Sequence, residues 1–131
     1  MKKVLFVCVE NAGRSQMAEA FVNEYGEGKI VAESAGMKLA PTVNPIVVEA
    51  MKERGIDISS NKPKMLTMEM ANQADLVVTM GCGASDLCPG PFFTETVDWA
   101  LEDPKGKPIE KVREIRDEIE RRVRQLIFAE N

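Results

Sequence analysis

The sequence predicts an α/β fold, a three-layer sandwich on a four-stranded parallel sheet, with residues 1–131 forming one domain. Three observations carry this reading. Short apolar runs alternate with amphipathic stretches, the pattern of repeated strand–helix units. The clearest run, D-L-V-V-T-M at 75–80, is almost continuously apolar, as a strand covered on both faces must be. A chain of 131 residues with 44% hydrophobic content suits one core of ordinary size.

Residues 3–8 read as the first strand, apolar and partly β-branched. The loop 9–14 holds Asn11 and Gly13, both suited to unusual backbone angles. A helix follows from Ser15, which can cap it, to residues 23–25, with Met17, Ala20, Phe21 and Glu24 on one face. Gly26 and Gly28 end it. Residues 29–33 form a second strand, and Ser34-Ala35-Gly36 turns out of it. Asn44-Pro45 pairs a cap with a first-turn proline, so a helix runs from residue 45 to about 54, with Val47, Val48, Ala50 and Met51 inward. Residues 56–59 are a short extended piece, 61–64 surface-like, and 67–71 a brief helix. After the strand at 75–80, Gly81-Cys82-Gly83 opens a turn-rich segment to Pro91, and residues 96–101 around Trp99 supply the fourth strand.

Pro108 starts a long helix to Ala129. Its apolar residues Ile109, Val112, Ile115, Ile119, Val123, Leu126 and Ile127 are spaced by threes and fours. The other face sets opposite charges four apart, Arg113 with Asp117 and Glu120 with Arg124. The Arg121-Arg122-Arg124 cluster then reads as a solvated face.

A net charge of −4 with no long basic stripe argues against a nucleic-acid partner. No run approaches the roughly 18 apolar residues that cross a bilayer. Val4 to Val9 is too short for a signal-peptide core, so a cytoplasmic protein with no membrane partner is expected. There is no histidine, which removes imidazole acid–base chemistry and most catalytic zinc sites. Three cysteines in such a chain suggest thiol chemistry or burial rather than a disulfide framework.

The chemistry concentrates in C-V-E-N-A-G-R-S at 8–15, between the first strand and the first helix. A backbone folded over Cys8, Val9, Glu10, Asn11, Ala12, Gly13 and Arg14 points several N–H groups inward at a helix N-terminus, a nest for a tetrahedral oxyanion. Arg14 can grip two oxygens of that anion. The same positive surroundings favour a Cys8 thiolate aimed at the central atom, and Ser15 can donate a hydrogen bond to it. The plainer reading is a buried, inert cysteine and a solvent-facing arginine. Ligands in such sheets bind beyond the carboxyl ends of the strands. Cys8 and Cys82 both follow strands there.

Cys82 and Cys88 are more than ester hydrolysis needs. If Cys8 forms an adduct with the anion, water can release it, which is phosphatase chemistry. A second thiol can instead attack the adduct sulfur, and the central atom leaves with two electrons. That needs a reducible centre: arsenic(V) in arsenate qualifies and phosphorus does not. Cys82 then resolves the adduct, Cys88 attacks Cys82, and an external dithiol protein resets the pair. The alternatives are ordinary buried cysteines or a metal pair, for which a fourth Cys or a His is missing. Asp103, before Pro104, is a candidate acid for the departing oxygen, although Asp-Pro also starts ordinary turns.

These residues resemble the thioredoxin-coupled arsenate reductases built on the low-molecular-weight tyrosine phosphatase fold. The resemblance runs from Val4 to Leu126, through residues 8–20, S-A-G at 34–36, 44–59, A-D-L-V-V-T-M at 74–80, C-x5-C-P at 82–89 and D-P at 103–104. It implies Cys8 as nucleophile, Arg14 as the anion-binding arginine, Cys82 and Cys88 as the resolving pair and Asp103 as the acid. It implies thioredoxin or a similar dithiol protein as partner, and no required cofactor. Some members hold potassium beside the loop through residues matched here by Asn11, Glu19 and Ser34. Without the resemblance, Glu19 is a solvated helix residue and Ser34 a turn residue. The chain departs in three ways. Glu10 puts a carboxylate beside the anion site, the Cys82–Cys88 spacing is one residue shorter than in potassium-binding members, and the segment from Pro89 to Asp103 is short. The main rival is a low-molecular-weight protein tyrosine phosphatase, which shares the loop and acid but surrounds its pocket with aromatic residues. A phosphate-binding module with an unreactive Cys8 is a third reading.

Overall fold

In a computed structural model, which describes residues 2–80 and 96–129, eight elements build one sheet and its coverings. They are β1 (Lys2–Cys8), α1 (Arg14–Tyr25), β2 (Ile30–Gly36), α2 (Pro45–Lys52), α3 (Met68–Gln73), β3 (Leu76–Thr79), β4 (Thr96–Asp98) and α4 (Ile109–Ala129). The sheet is parallel throughout, in the order β2-β1-β3-β4. From β1 the chain steps to β2 on one side, then back across β1 to β3. Crossovers of one hand must therefore lie on opposite faces, and α1 and α3 do.

Alternation along β1 divides the core. Val4, Phe6 and Cys8 face one way and pack with Met17, Phe21 and Val22 of α1, Val47 and Met51 of α2, and Val112, Ile115, Ile119 and Val123 of α4. Leu5 and Val7 face the other way, against Ala71, Ala74 and Val77 with Leu66 and Met70 at the margin. Each fully buried Val, Leu or Phe contributes about 1.5–3 kcal/mol relative to its exposed state. Cys8 therefore reaches the carboxyl end of a fully covered central strand, pointing toward the α1 face.

Asn44 caps α2 as expected, its Oδ1 accepting from the Ile46 N–H at 3.0 Å. Thr67 caps α3. Several expectations need correction. Ser34, Ala35 and Gly36 are not a turn but the end of β2, paired with Phe6, Val7 and Cys8. Ser15 does not cap α1: Gly13 holds the cap position without a side-chain bond. The fourth strand is only Thr96–Asp98 and is exposed at the sheet edge. Trp99 instead leaves it to pack on Phe6, ring centroids 5.5 Å apart. Arg113 bonds Glu53, the C-cap of α2, at 2.8 Å rather than Asp117, because α4 lies against α2. Arg121 and Arg122 pair with Glu118, and Arg124 with Glu120, as a solvated face would. Among the described residues, no helix is long and apolar enough to cross a membrane.

Candidate active site

The loop between β1 and α1 is held from outside by its carbonyls. Val9 O accepts from the N–H groups of Met37 and Lys38, both at 2.9 Å, Glu10 O from Ala40 at 3.2 Å and Ala12 O from Asn44 at 2.9 Å. With the carbonyls turned outward, none of the N–H groups of residues 9–13 donates to a backbone carbonyl of the described residues. Asn11 takes the left-handed φ of 52° that the loop's curl requires. Two glycines permit the close approaches. A Cβ on Gly36 would lie 2.8 Å from Val9 O, and one on Gly13 would lie 2.8 Å from Pro104 Cγ.

Cys8 Sγ lies 2.8 Å from Ser15 Oγ, a hydrogen bond in which either atom can donate, and the neighbours fix the rest of the chain. The Lys64 backbone N–H donates to Asn11 Oδ1 at 2.8 Å. A backbone N–H can only donate, so this fixes which end of the Asn11 amide is oxygen. Asn11 Nδ2 consequently donates to Ser15 Oγ at 2.7 Å. With one lone pair so occupied, the Ser15 hydroxyl can turn its proton to a sulfur anion or accept from a thiol on the other. The chain of hydrogen bonds from Lys64 through Asn11 and Ser15 ends on the Cys8 sulfur. Asn11 and Ser15 are fully buried. Gln16, also buried, braces the loop from below through Asn11 Oδ1 at 3.1 Å and Lys62 O at 3.3 Å.

Arg14 is buried at the mouth of the same nest. One of its Nη atoms donates to the carbonyls of Met80 and Leu101, which fixes the guanidinium between β3 and the segment after β4. The other lies 3.7 Å from Asp103 Oδ2. Asp103 Oδ1 accepts from the Lys105 N–H at 3.0 Å, an Asx turn that aims the half-exposed carboxyl group. Cys8, Arg14 and Asp103 line one cavity of about 270 Å³ with Glu10, Ala12, Pro41, Thr42 and Lys105. No aromatic residue among those described lines it.

Glu10 is the residue whose negative charge the sequence made awkward. Its carboxylate is paired with Lys105 Nζ at 2.8 Å. That bond, together with the charges of Glu10 and Asp103, holds the Lys105 ammonium above its ordinary pKa. The pair also fastens the Asp103 segment to the oxyanion loop. Sequence reasoning missed Lys105 and Lys64, which act on partners distant in the chain, and Gln16, which joins nearby Asn11 to distant Lys62. Cys82 and Cys88 lie outside the described residues. Glu19 Oε1 accepts from Ser34 Oγ at 3.0 Å and from Lys64 Nζ at 3.1 Å. Among the described residues there is no group of His, Cys, Asp and Glu side chains that could hold a metal ion.

Comparison with known proteins agrees with this architecture. The sequence profile of the low molecular weight phosphotyrosine protein phosphatase family matches residues 3–130. A glutaredoxin arsenate reductase of Synechocystis is 40% identical over 130 residues, covering 97% of each chain. Among solved structures, an arsenate reductase in the phosphate-binding state superposes with a TM-score of 0.88 at 39% identity, over 100% of both chains. A thioredoxin-dependent arsenate reductase of Corynebacterium glutamicum gives 0.82 at 39% identity, over 99% of this chain and 62% of that one. The chain belongs to the low molecular weight phosphotyrosine protein phosphatase family.

Proposed function

We propose that this member of the low molecular weight phosphotyrosine protein phosphatase family reduces arsenate to arsenite through a cysteine nucleophile and an intramolecular disulfide relay. The observation that carries the reading is the hydrogen-bond chain ending on Cys8, inside a small cavity shared with Arg14 and Asp103. The cavity's small, non-aromatic described lining suits a free tetrahedral oxyanion better than an aryl ester. Relatives near 40% identity that are named arsenate reductases support the same choice of substrate.

In this mechanism arsenate enters the nest, where inward N–H groups and Arg14 hold its oxygens. The Cys8 thiolate attacks arsenic, a sulfur–arsenic bond forms, and one oxygen departs as water with a proton from Asp103. Cys82 attacks the sulfur of Cys8. The sulfur–arsenic bond breaks with its electron pair on arsenic, which leaves as arsenite, and a Cys8–Cys82 disulfide remains. Cys88 attacks Cys82, frees Cys8 and leaves a Cys82–Cys88 disulfide, which an external dithiol protein of the thioredoxin or glutaredoxin class reduces. Such a cycle starts from reduced thiols and so suits a reducing compartment, the cytoplasm. The test couples the purified protein to thioredoxin, its reductase and NADPH, and separately to glutaredoxin and glutathione. Arsenate-dependent NADPH oxidation in one system is expected. Oxidation in neither, with rapid hydrolysis of an aryl phosphate, would overturn the reading in favour of a phosphatase.

A further inference from the structure

The side chains at which a potassium ion was expected do not fit one. Asn11 Oδ1 accepts from the Lys64 N–H at 2.8 Å and from Gln16 Nε2 at 3.1 Å, so N–H hydrogens meet both its lone pairs. Those hydrogens carry positive partial charge and repel a cation. Glu19 Oε1 takes the Ser34 hydroxyl at 3.0 Å and the Lys64 ammonium at 3.1 Å. Glu19 is only 14% exposed, so its charge calls for a nearby cation. The chain itself supplies that cation.

Lys64 is fixed at both ends. Its backbone N–H donates to Asn11, and its carbonyl accepts from the Gly36 N–H at 2.8 Å. Its ammonium closes on Glu19 in α1, so one residue ties the underside of the oxyanion loop to the helix that follows it. Asn61 Nδ2 and the Lys62 carbonyl add bonds to Gln16 on the same segment. If the segment slackens, the donor that orients the Asn11 amide moves, and with it the hydroxyl beside Cys8.

We propose that Lys64 is a positioning residue, a tethered ammonium that takes the place of a free monovalent cation beneath the oxyanion loop and steadies the Asn11–Ser15–Cys8 chain. The first half of this statement is independent of the proposed chemistry, and the second rests on Cys8 as the nucleophile. The test measures thermal unfolding of the full chain in potassium, sodium and tetramethylammonium chloride at equal ionic strength. Iodoacetamide labelling of Cys8, read peptide by peptide, is followed in the same salts.

The native protein and Lys64→Arg should melt at one temperature in all three salts. Lys64→Met should melt lower in tetramethylammonium chloride and regain stability in potassium chloride. Its Cys8 should label several-fold more slowly in the first salt and recover in the second. A native protein raised several degrees by potassium would overturn the proposal, because a free ion would then be binding. A Lys64→Met variant lowered equally in every salt, or lowered in none, would overturn it too. Labelling unchanged in all salts would overturn the link to Cys8. Failure of arsenate-dependent NADPH oxidation leaves the salt pattern intact, so failure of the functional reading is distinguishable from failure of this one.

Discussion

Replacing Ser15 by alanine removes a single oxygen atom and tests the electrostatics of the nucleophile directly. That oxygen lies 2.8 Å from Cys8 Sγ and 2.7 Å from Asn11 Nδ2. Ser15 is fully buried, so solvent does not share its hydroxyl in the native protein. A hydrogen bond to an ionised partner contributes about 1.5–3 kcal/mol. The attacking sulfur keeps about half of its negative charge at the alkylation transition state, for a Brønsted slope of about 0.4–0.5, so about half of that stabilisation is lost at the transition state, at a factor of ten per 1.4 kcal/mol. The net expectation is labelling of Cys8 by iodoacetamide about 3- to 12-fold slower in mildly acidic buffer. The substitution also leaves Asn11 Nδ2 without its acceptor, so a fall in stability of about 1–3 kcal/mol accompanies it. Peptide-resolved mass spectrometry isolates Cys8 from the other thiols, and circular dichroism confirms the fold. A folded Ser15→Ala protein that labels at the native rate would refute the argument that the hydroxyl stabilises the sulfur anion.

Other perturbations separate the remaining parts. Cys82→Ser and Cys88→Ser should each abolish multiple turnover of arsenate in the NADPH-coupled assay while sparing hydrolysis of p-nitrophenyl phosphate. Loss of both activities would make those cysteines structural. Lys105→Met leaves the Glu10 carboxylate uncompensated at the cavity wall, so the KM for arsenate should rise by several-fold and kcat should change less. Adding Glu10→Gln should reverse the rise, and steady-state kinetics of the double variant checks this. Glu53 hydrogen-bonds to Arg113 and Arg116, which pull its pKa from an ordinary 4.5 to about 2. A folded-state pKa below the unfolded value means stability present above pH 4.5 and lost as pH falls toward about 2. Melting curves of native and Glu53→Gln protein should therefore differ most above pH 4.5 and converge toward pH 2.

What was legible in the sequence was what is local. The apolar run of β1, the Asn44-Pro45 helix start and the apolar stripe of α4 each declare themselves within a few residues, because periodicity and capping act over one or two turns. The oxyanion loop was legible for the same reason: Cys8, Asn11, Gly13 and Arg14 occupy consecutive turns of one curl. Ser34-Ala35-Gly36 misled because small residues read as a turn. Their strand conformation comes from pairing with β1, and Gly36 is small because the loop crosses over it. Ser15 misled only as a cap, because the helix begins one residue earlier, at Arg14; the contact with Cys8 also expected of its hydroxyl is present at 2.8 Å.

The sequence alone determined the order of elements, the parallel sheet and the cysteine–arginine loop at the end of its first strand. Only the tertiary structure decided that Lys105 neutralises Glu10, that Arg14 is anchored by Met80 and Leu101, and that Lys64 closes on Glu19. Each of those contacts joins residues tens of positions apart. A side chain's charge or donor acquires its meaning from whatever the fold brings within about 3 Å of it, and spacing along the chain does not encode that.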